Sequence, residues 1–569
     1  MGVSCLLVAG VGLAVACAPP EAKSPEVAPP PPALPWASSD DAPAASLAKA
    51  APVAASPPIA LVGGTLMTGT GAEIADATIT FQGGRIVGVG PRADVAVPEG
   101  ALVIDARGRF ITPGLIDAHS HMGVYPLPEV PAHADGNEAT RPVTANVRAA
   151  ESFWPQDPAL SHALAAGVTT LLVLPGSANL IGGQGVTVKL RPGRSVEEMR
   201  FPGAPPTLKM ACGENPKRVY GERSAAPSTR MGNVAGYREA FRDAVEYGAK
   251  FQDWQARHVS WQRKRRAPRG DDQPAPLMPE RDAGLETLLG AIEGRVLLEI
   301  HCYRADEMLG MLALADEFGL KVRAFHHAVE AYKIRDVLAA RGVAVATWAD
   351  WWGFKLEAYD TVRENLALLS EAGVRGVLHS DSAQLAQRLN QEAAKSYGAA
   401  VRAGIPIERG TALSWITSNA AWALGVESQT GSLEAGKMAD VVLWSGDPFS
   451  VYSLVDRVFV DGWDAYDRRG EGRRPSDFEL GQGGEGPRRE AERKGAAPAA
   501  PAAAGGAPAP VGAPATAPSP APSAAPPPAA LPPVPPPAAP SGNGGSSPAP
   551  SSPPSPATPA APGAGGGQP

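Results

Sequence analysis

Cysteine is scarce in this chain, four among 569 residues, too few for a disulfide-stapled scaffold. Positive charge is also in short supply. Lys and Arg number 51 against 58 Asp and Glu, a net charge of -7, so phosphate backbones meet no general attraction and nucleic acid is not expected as a partner. No Lys or Arg follows Lys494, which argues against electrostatic membrane binding by the C-terminal stretch. Long apolar runs are missing too, since the one candidate, residues 1–17, is shorter than a bilayer-spanning helix requires. Proline and glycine are instead in excess, 61 and 63. Much of the proline lies in Ala/Pro tracts at the two ends, which cannot bury enough apolar surface to fold.

These shifts divide the chain. Residues 1–17 read as a signal peptide of lipoprotein type, although no Lys or Arg precedes the apolar run and Ala14 stands where such signals usually carry Leu. Export to the bacterial cell envelope is then expected, with a lipid on Cys17 as the only membrane contact, 18–56 as an extended tether and 466–569 as a Pro/Ala/Gly-rich tail. Short β segments separated by Gly turns occupy 57–112, at 59–62, 77–82, 85–89 and 102–104, and the same texture returns in 428–465, at 441–444 and 457–460. One β-sandwich built from both flanks of a long insertion is expected. Within that insertion, 113–427, apolar strands alternate with helices such as 238–251, 305–318 and 361–371. The strands, at 115–118, 169–174, 207–211, 296–300, 321–325, 344–347 and 374–378, fit a closed, parallel (β/α)8 barrel better than an open sheet. The glycine-rich stretch 176–185 reads as a flexible loop with a tight turn, and 254–279 as a solvated insertion.

The chemistry concentrates in histidine. Of nine, six fall at predicted strand ends: His119, His121, His301, His326, His327 and His379. The other three, His133, His162 and His258, lie in loop or helix contexts and read as surface or packing residues. His119 and His121 are two apart and so point to one side of an extended strand. Asp381 follows at the end of a later strand. In a parallel barrel the strand C-terminal ends share one pocket. Neutral imidazoles with a carboxylate suit Zn(II) or a similar divalent ion, whose open position holds a water that an adjacent Asp can deprotonate.

Together these residues carry a resemblance. The run Phe110-Ile-Thr-Pro-Gly-Leu-Ile-Asp-Ala-His-Ser-His121, Ala166-Gly-Val-Thr-Thr170, His301, His327, Ser380-Asp381, Ser418-Asn-Ala-Ala421 and Asp440-Val-Val-Leu443 resemble the metal-dependent amidohydrolase superfamily, its imidazolonepropionase-related branch above all, over about 59–462. The resemblance implies a metal-bearing (β/α)8 barrel, a sandwich from both flanks and hydrolysis of an amide, lactam or cyclic amidine C–N bond in a small-molecule substrate. It places His119 and His121 on the more buried ion, His301 and His327 on strands five and six, and Asp381 as base, with His379 behind the ligands. Relatives differ in the group that bridges two ions. Glu214 is the choice here, with a carboxylated Lys209 as the alternative, and one or two ions are expected accordingly. Lys217, Arg218, Tyr220 and Arg230 fall near the predicted mouth and Glu330 just past His327, so they are candidate substrate contacts. The competing readings are an N-acyl deacetylase or dipeptidase of the same superfamily, a degenerate barrel that binds a small molecule without turnover, and an envelope scaffold acting through its tails.

Overall fold

The computed structural model describes residues 57–267, 273–351 and 353–470. The expected signal and tether, and the tail beyond 470, lie outside the described residues. The first strands are β1 Ile59–Met67, β2 Glu73–Gln82, β3 Arg85–Pro91, β4 Leu102–Asp105 and β5 Phe110–Pro113. β1 carries two register shifts at Gly64; its first half pairs with β4 and its second with β5. Gly63, at φ +84°, and Gly64 sit at this bend, where an added Cβ would lie 2.8 Å from the Arg107 side chain and 3.1 Å from that of Ala106, respectively. At Gly63 the crowding coincides with a left-handed backbone, which glycine adopts without strain.

A second group follows: β6 Leu115–Ser120, β7 Val168–Val173, β8 Ile181–Lys189, β9 Thr207–Ala211, β10 Leu297–Cys302, β11 Val322–His327, β12 Ala344–Thr347 and β13 Gly376–Leu378. The chain then returns through β14 Val441–Trp444, β15 Val455–Val460 and β16 Trp463–Asp467. β14 lies antiparallel on β5, Val441 opposite Pro113, so both flanks form one sheet in the order β16-β15-β14-β5-β1-β2-β3, with β4 on β1. Phe81 of β2 meets Phe459 of β15 at 5.1 Å, although three strands separate them in that order. The bent sheet therefore closes on itself around Leu61, Ile79, Ile111 and Leu443. Each buried phenylalanine there contributes about 1.5–3 kcal/mol.

β6 to β13 run in spatial sequence and make a nearly closed eight-stranded barrel. β13 and β6 are joined through the segment between them: Leu378 N–H donates to Trp415 O and Ile116 N–H to Ile416 O, each at 2.9 Å. The order departs from a strict (β/α)8 repeat at one place. β8 is antiparallel to both β7 and β9, so the glycine-rich stretch read as a loop with a tight turn instead ends in a nine-residue strand. Its glycines hid the signal, because Gly182, Gly183 and Gly185 have no side chain from which to read alternation. Gly183 and Gly185 are needed there, since an added Cβ would come within 2.6 Å of Val147 and Thr207.

The helix expected over 238–251 extends from Arg230 to Arg265. Thr229 caps it by accepting from Gly232 N–H, and Tyr237, Ala240, Phe241, Ala244 and Phe251 bury one face at helical spacing. Beyond Phe251 it continues largely solvated where a break was expected. Cys212 and Cys302 are disulfide-bonded, Cα atoms 5.2 Å apart. Both belong to the cluster between barrel and helices, so the bridge joins the ends of β9 and β10 from behind the pocket. The cysteine count excluded a framework, and among the described residues there is one local staple. Among the described residues no helix is long and apolar enough to cross a membrane.

Candidate metal centre

Strand alternation decides what enters the barrel. Met210, Leu298, Ile300 and Phe325 pack outward on helices, so the intervening Lys209, Glu299, His301 and His326 face inward. Register brings Glu299 beside Lys209 and His301 beside His326. His327, next in line, would point outward, but its φ of +69° and that of Ala328, +34°, turn it back to lie 4.5 Å from His301 and 4.8 Å from His119, ring to ring. Asp381, at φ +52°, is similarly turned. Such backbone costs on the order of 1–3 kcal/mol per residue and persists where surrounding structure holds it. The hold on Asp381 comes from its N–H donating to His119 O at 3.0 Å and from the neighbouring Ser380, whose N–H and Oγ both donate to buried Asp117.

The resulting cluster is tight. His121 Nε2 lies 3.1 Å and His119 Nε2 3.6 Å from Asp381 Oδ1, and the ligand atoms of these three residues lie within 4.8 Å of one another, as do those of His119, His327 and His379. Burial pushes the imidazoles of His119, His301, His326 and His327 well below their ordinary range and His379 to about 3, so all five are neutral donors of lone pairs at pH 7. Burial pushes the Asp381 carboxyl up, but the hydrogen bond from His121 and the nearby positive charges outweigh it and hold it below its usual value. His301 Nδ1, His327 Nδ1 and both ring nitrogens of His379 are buried without a hydrogen-bond partner. His327 Nδ1 has Asp381 Oδ2 at 3.9 Å, beyond hydrogen-bond reach. Unpaired buried nitrogens facing a carboxylate are what a divalent ion satisfies, so these residues fit a metal.

Behind them lies a relay. His119 Nδ1 meets His326 Nδ1 at 2.8 Å, and His326 Nε2 meets Glu299 Oε2 at 2.7 Å. For His119 Nε2 to offer a lone pair, its Nδ1–H must donate to His326, and His326 Nε2–H must in turn donate to a Glu299 carboxylate. The relay couples which nitrogen of His119 is free to bind to the proton on Glu299, whose carboxyl burial holds well above its usual range.

The remaining predicted residues separate. Glu214 opens the helix Glu214–Gly221 and pairs with Lys355 at 3.5 Å; among the described residues it joins neither ligand group. Lys209, the alternative, is 1% exposed with Nζ 3.1 Å from His119 Nε2, and burial lowers it to about 8 against the pull of Asp381 and Glu299. Tyr220 is corrected to a packing residue: it is buried, and its hydroxyl donates to Arg141 O and contacts Asn179 Oδ1. Arg218 is exposed beside Glu222, one turn on, and Lys217 lies partly buried on the same helix. Arg230 pairs with Glu307 and Glu357. Glu330 accepts from Ala305 N–H at 3.0 Å, anchoring the helix Ala305–Phe318, and pairs with Lys333. Arg230 and Glu330 are thus held by buried or half-buried protein partners, and Arg218 by an exposed pair on its own helix. A ring nitrogen of His379, expected behind the ligands, lies within 4.8 Å of those of His119 and His327. His133 packs against Trp154 and His258 against Trp254 and Trp261, and His162 is exposed. Sequence reasoning passed over the Glu299–His326 relay; the available signal was the shared phase of positions 299 and 301 on one strand.

A sequence profile of the amidohydrolase family matches residues 311–462. Amidohydrolase tasK of Hapsidospora irregularis is 35% identical over 385 residues, 65% of this chain, which spans only 38% of that protein's length. An imidazolonepropionase of Sphingopyxis alaskensis is 25% identical over 397 residues, 66% of this chain and 88% of the relative. The crystal structure of an amidohydrolase from Thermotoga maritima is 35% identical with a TM-score of 0.63, covering 72% of this chain and 100% of that one. With its barrel, flanking sheet and strand-end histidines, the chain belongs to the metal-dependent amidohydrolase superfamily, hydrolases of carbon–nitrogen bonds, on the branch related to imidazolonepropionases.

Proposed function

We propose that this protein hydrolyses the C–N bond of an amide, lactam or cyclic amidine, with Asp381 moving the proton. The observation that carries this is the convergence of His119, His121 and Asp381 beside buried imidazole nitrogens that have no other partner. His119, His121 and Asp381 would hold one ion, and His301 and His327 a second. Lys209 replaces Glu214 as the group proposed to hold both: its buried amine, which burial lowers to about 8, would add to carbon dioxide with loss of a proton and become a carbamate. Imidazoles with carboxylates favour Zn(II). When bound, the ion polarises the substrate carbonyl and lowers the pKa of water. Asp381, held ionised by His121, accepts a proton from the attacking water and returns it to the leaving nitrogen. The buried disulfide supports the further proposal that the chain works in an oxidising compartment, the cell envelope.

The test is metal content after reconstitution of the purified full chain with Zn(II), followed by turnover of a panel of N-acyl amino acids, dipeptides, lactams and cyclic amidines. Less than about half an equivalent bound overturns the reading.

A further inference from the structure

The loop after β12 and the end of β10 set four aromatic rings in a row that begins on the metal centre and ends in solvent. Trp348 lies on His327, ring centroids 4.4 Å apart and planes within 25°, and Tyr303 approaches the same imidazole at 5.2 Å and 17°. Trp348 is fixed in place, its Nε1–H donating to Ser380 O at 3.2 Å. Trp351 continues the row at 5.3 Å from Trp348, and Phe354 lies 6.0 Å from Trp348 and 6.1 Å from Trp351. The first two rings are buried, whereas Trp351 is 39% and Phe354 56% exposed.

Large aromatic rings left in water next to a reactive centre forfeit burial that a ligand can supply. The polar groups alongside have partners already. Lys355 sits 3.8 Å from the Tyr303 ring centre, with Glu214 at 3.5 Å and Glu357 at 3.7 Å, and Asn215 donates to Ser177 Oγ at 2.8 Å. What this edge of the pocket offers is therefore apolar surface, and the row's contact with His327 makes it continuous with the metal centre. We propose that Trp351 and Phe354 form a subsite for a flat apolar or aromatic group carried next to the scissile C–N bond, so that the substrates are aryl- or arylalkyl-bearing amides or lactams. This rests on the hydrolase reading above.

Two hydroxamates separate the two ideas. Acetohydroxamate tests the metal centre alone; phenylacetohydroxamate adds the ring. Calorimetry on the Zn(II)-reconstituted full chain should show the phenyl ligand binding at least about 10-fold tighter. In the Trp351→Ala/Phe354→Ala double variant that advantage should fall below about 3-fold, with acetohydroxamate affinity unchanged. Equal affinities in the parent chain, or an advantage retained in the double variant, overturn the subsite while leaving the metal reading intact. Binding of neither ligand overturns the metal reading and the subsite with it.

Discussion

Lys189 and Lys209 lie on adjacent barrel strands and are buried to almost the same degree, 0% and 1% exposed, yet their surroundings are opposite. Lys189 Nζ has Asp440 at 2.9 Å, Asp461 closer still and Met438 Sδ at 3.3 Å. Asp440 in turn accepts from Thr430 Oγ1 and from Asp461 N–H, and Arg191 completes the group by pairing with Asp461 at 2.7 Å. Every charge there is answered. Lys209 has one neutral imidazole nitrogen at 3.1 Å and sits among histidine nitrogens with no partner. The difference teaches how to tell a structural ion cluster from a functional one in a single fold: the first is complete by itself, whereas the second is completed by something from outside.

That contrast can be broken or sharpened in five ways. The largest effect is expected at Asp381. Asp381→Asn should lower turnover of whatever substrate the parent chain hydrolyses by about 10²–10⁴-fold in steady-state assays, with the far-ultraviolet circular dichroism unchanged; a loss under 10-fold would sink its role as proton carrier.

The two lysines should then part company. Lys189→Met leaves Asp440 and Asp461 without their buried cation and is expected to destabilise the fold by about 3–5 kcal/mol in urea denaturation, while the protein that remains folded keeps its metal. Lys209→Met should do the reverse, with unfolding midpoint unchanged or raised and Zn(II) stoichiometry reduced, as read by elemental analysis. If both variants lost stability and both kept metal, the contrast would be void.

A smaller change belongs to the relay. His326→Leu removes the acceptor that orients His119, and chelator competition should show Zn(II) binding about 10–100-fold weaker. Unchanged affinity would reduce His326 and Glu299 to packing.

The smallest effect is in pH. Burial depresses Lys209 to about 8, below its unfolded value of about 10.4, so between these values the unfolded chain holds more protons. Stability of the metal-free protein should therefore rise with pH across that window, the contribution of Lys209 being complete above about 10.4 and lost as pH falls through about 8. Urea midpoints at pH 8 and 10 measure it, and the slope should shrink in Lys209→Met. Over the same rise in pH, ¹³C-bicarbonate should give a carbamate resonance that Lys209→Met lacks.

The legible part of the site was the part written in strand endings. His119 and His121 share a side because strands alternate, and apolar runs ending in His301 and His327 marked where strands leave the core. The sequence favours Glu214 over Lys209, five residues earlier, for its place just past a strand, whereas the choice depends on which face of β9 turns inward and on the helix that starts at Glu214 turning its carboxylate to Lys355. Tyr220 and Glu330 read as substrate groups for the same reason: proximity in sequence to a strand end says nothing about partners contributed by residues 41 to 79 positions away, such as those of Tyr220, or 25 away, such as that of Glu330.

By itself, then, the sequence carried the periodic features: a barrel whose flanking β segments come from both sides of it in the chain, and an excess of histidine at strand ends beside a carboxylate, a set suited to a divalent ion. Tertiary structure decided what periodicity cannot carry. It made Ile181–Lys189 an antiparallel strand by pairing glycines with close neighbours, turned His327 and Asp381 inward through left-handed backbone, joined Cys212 to Cys302, and chose Lys209 as the buried lysine without a charged partner in contact. Each of these depends on register between strands distant in the chain, and register is set by the whole packed barrel rather than by any stretch of it.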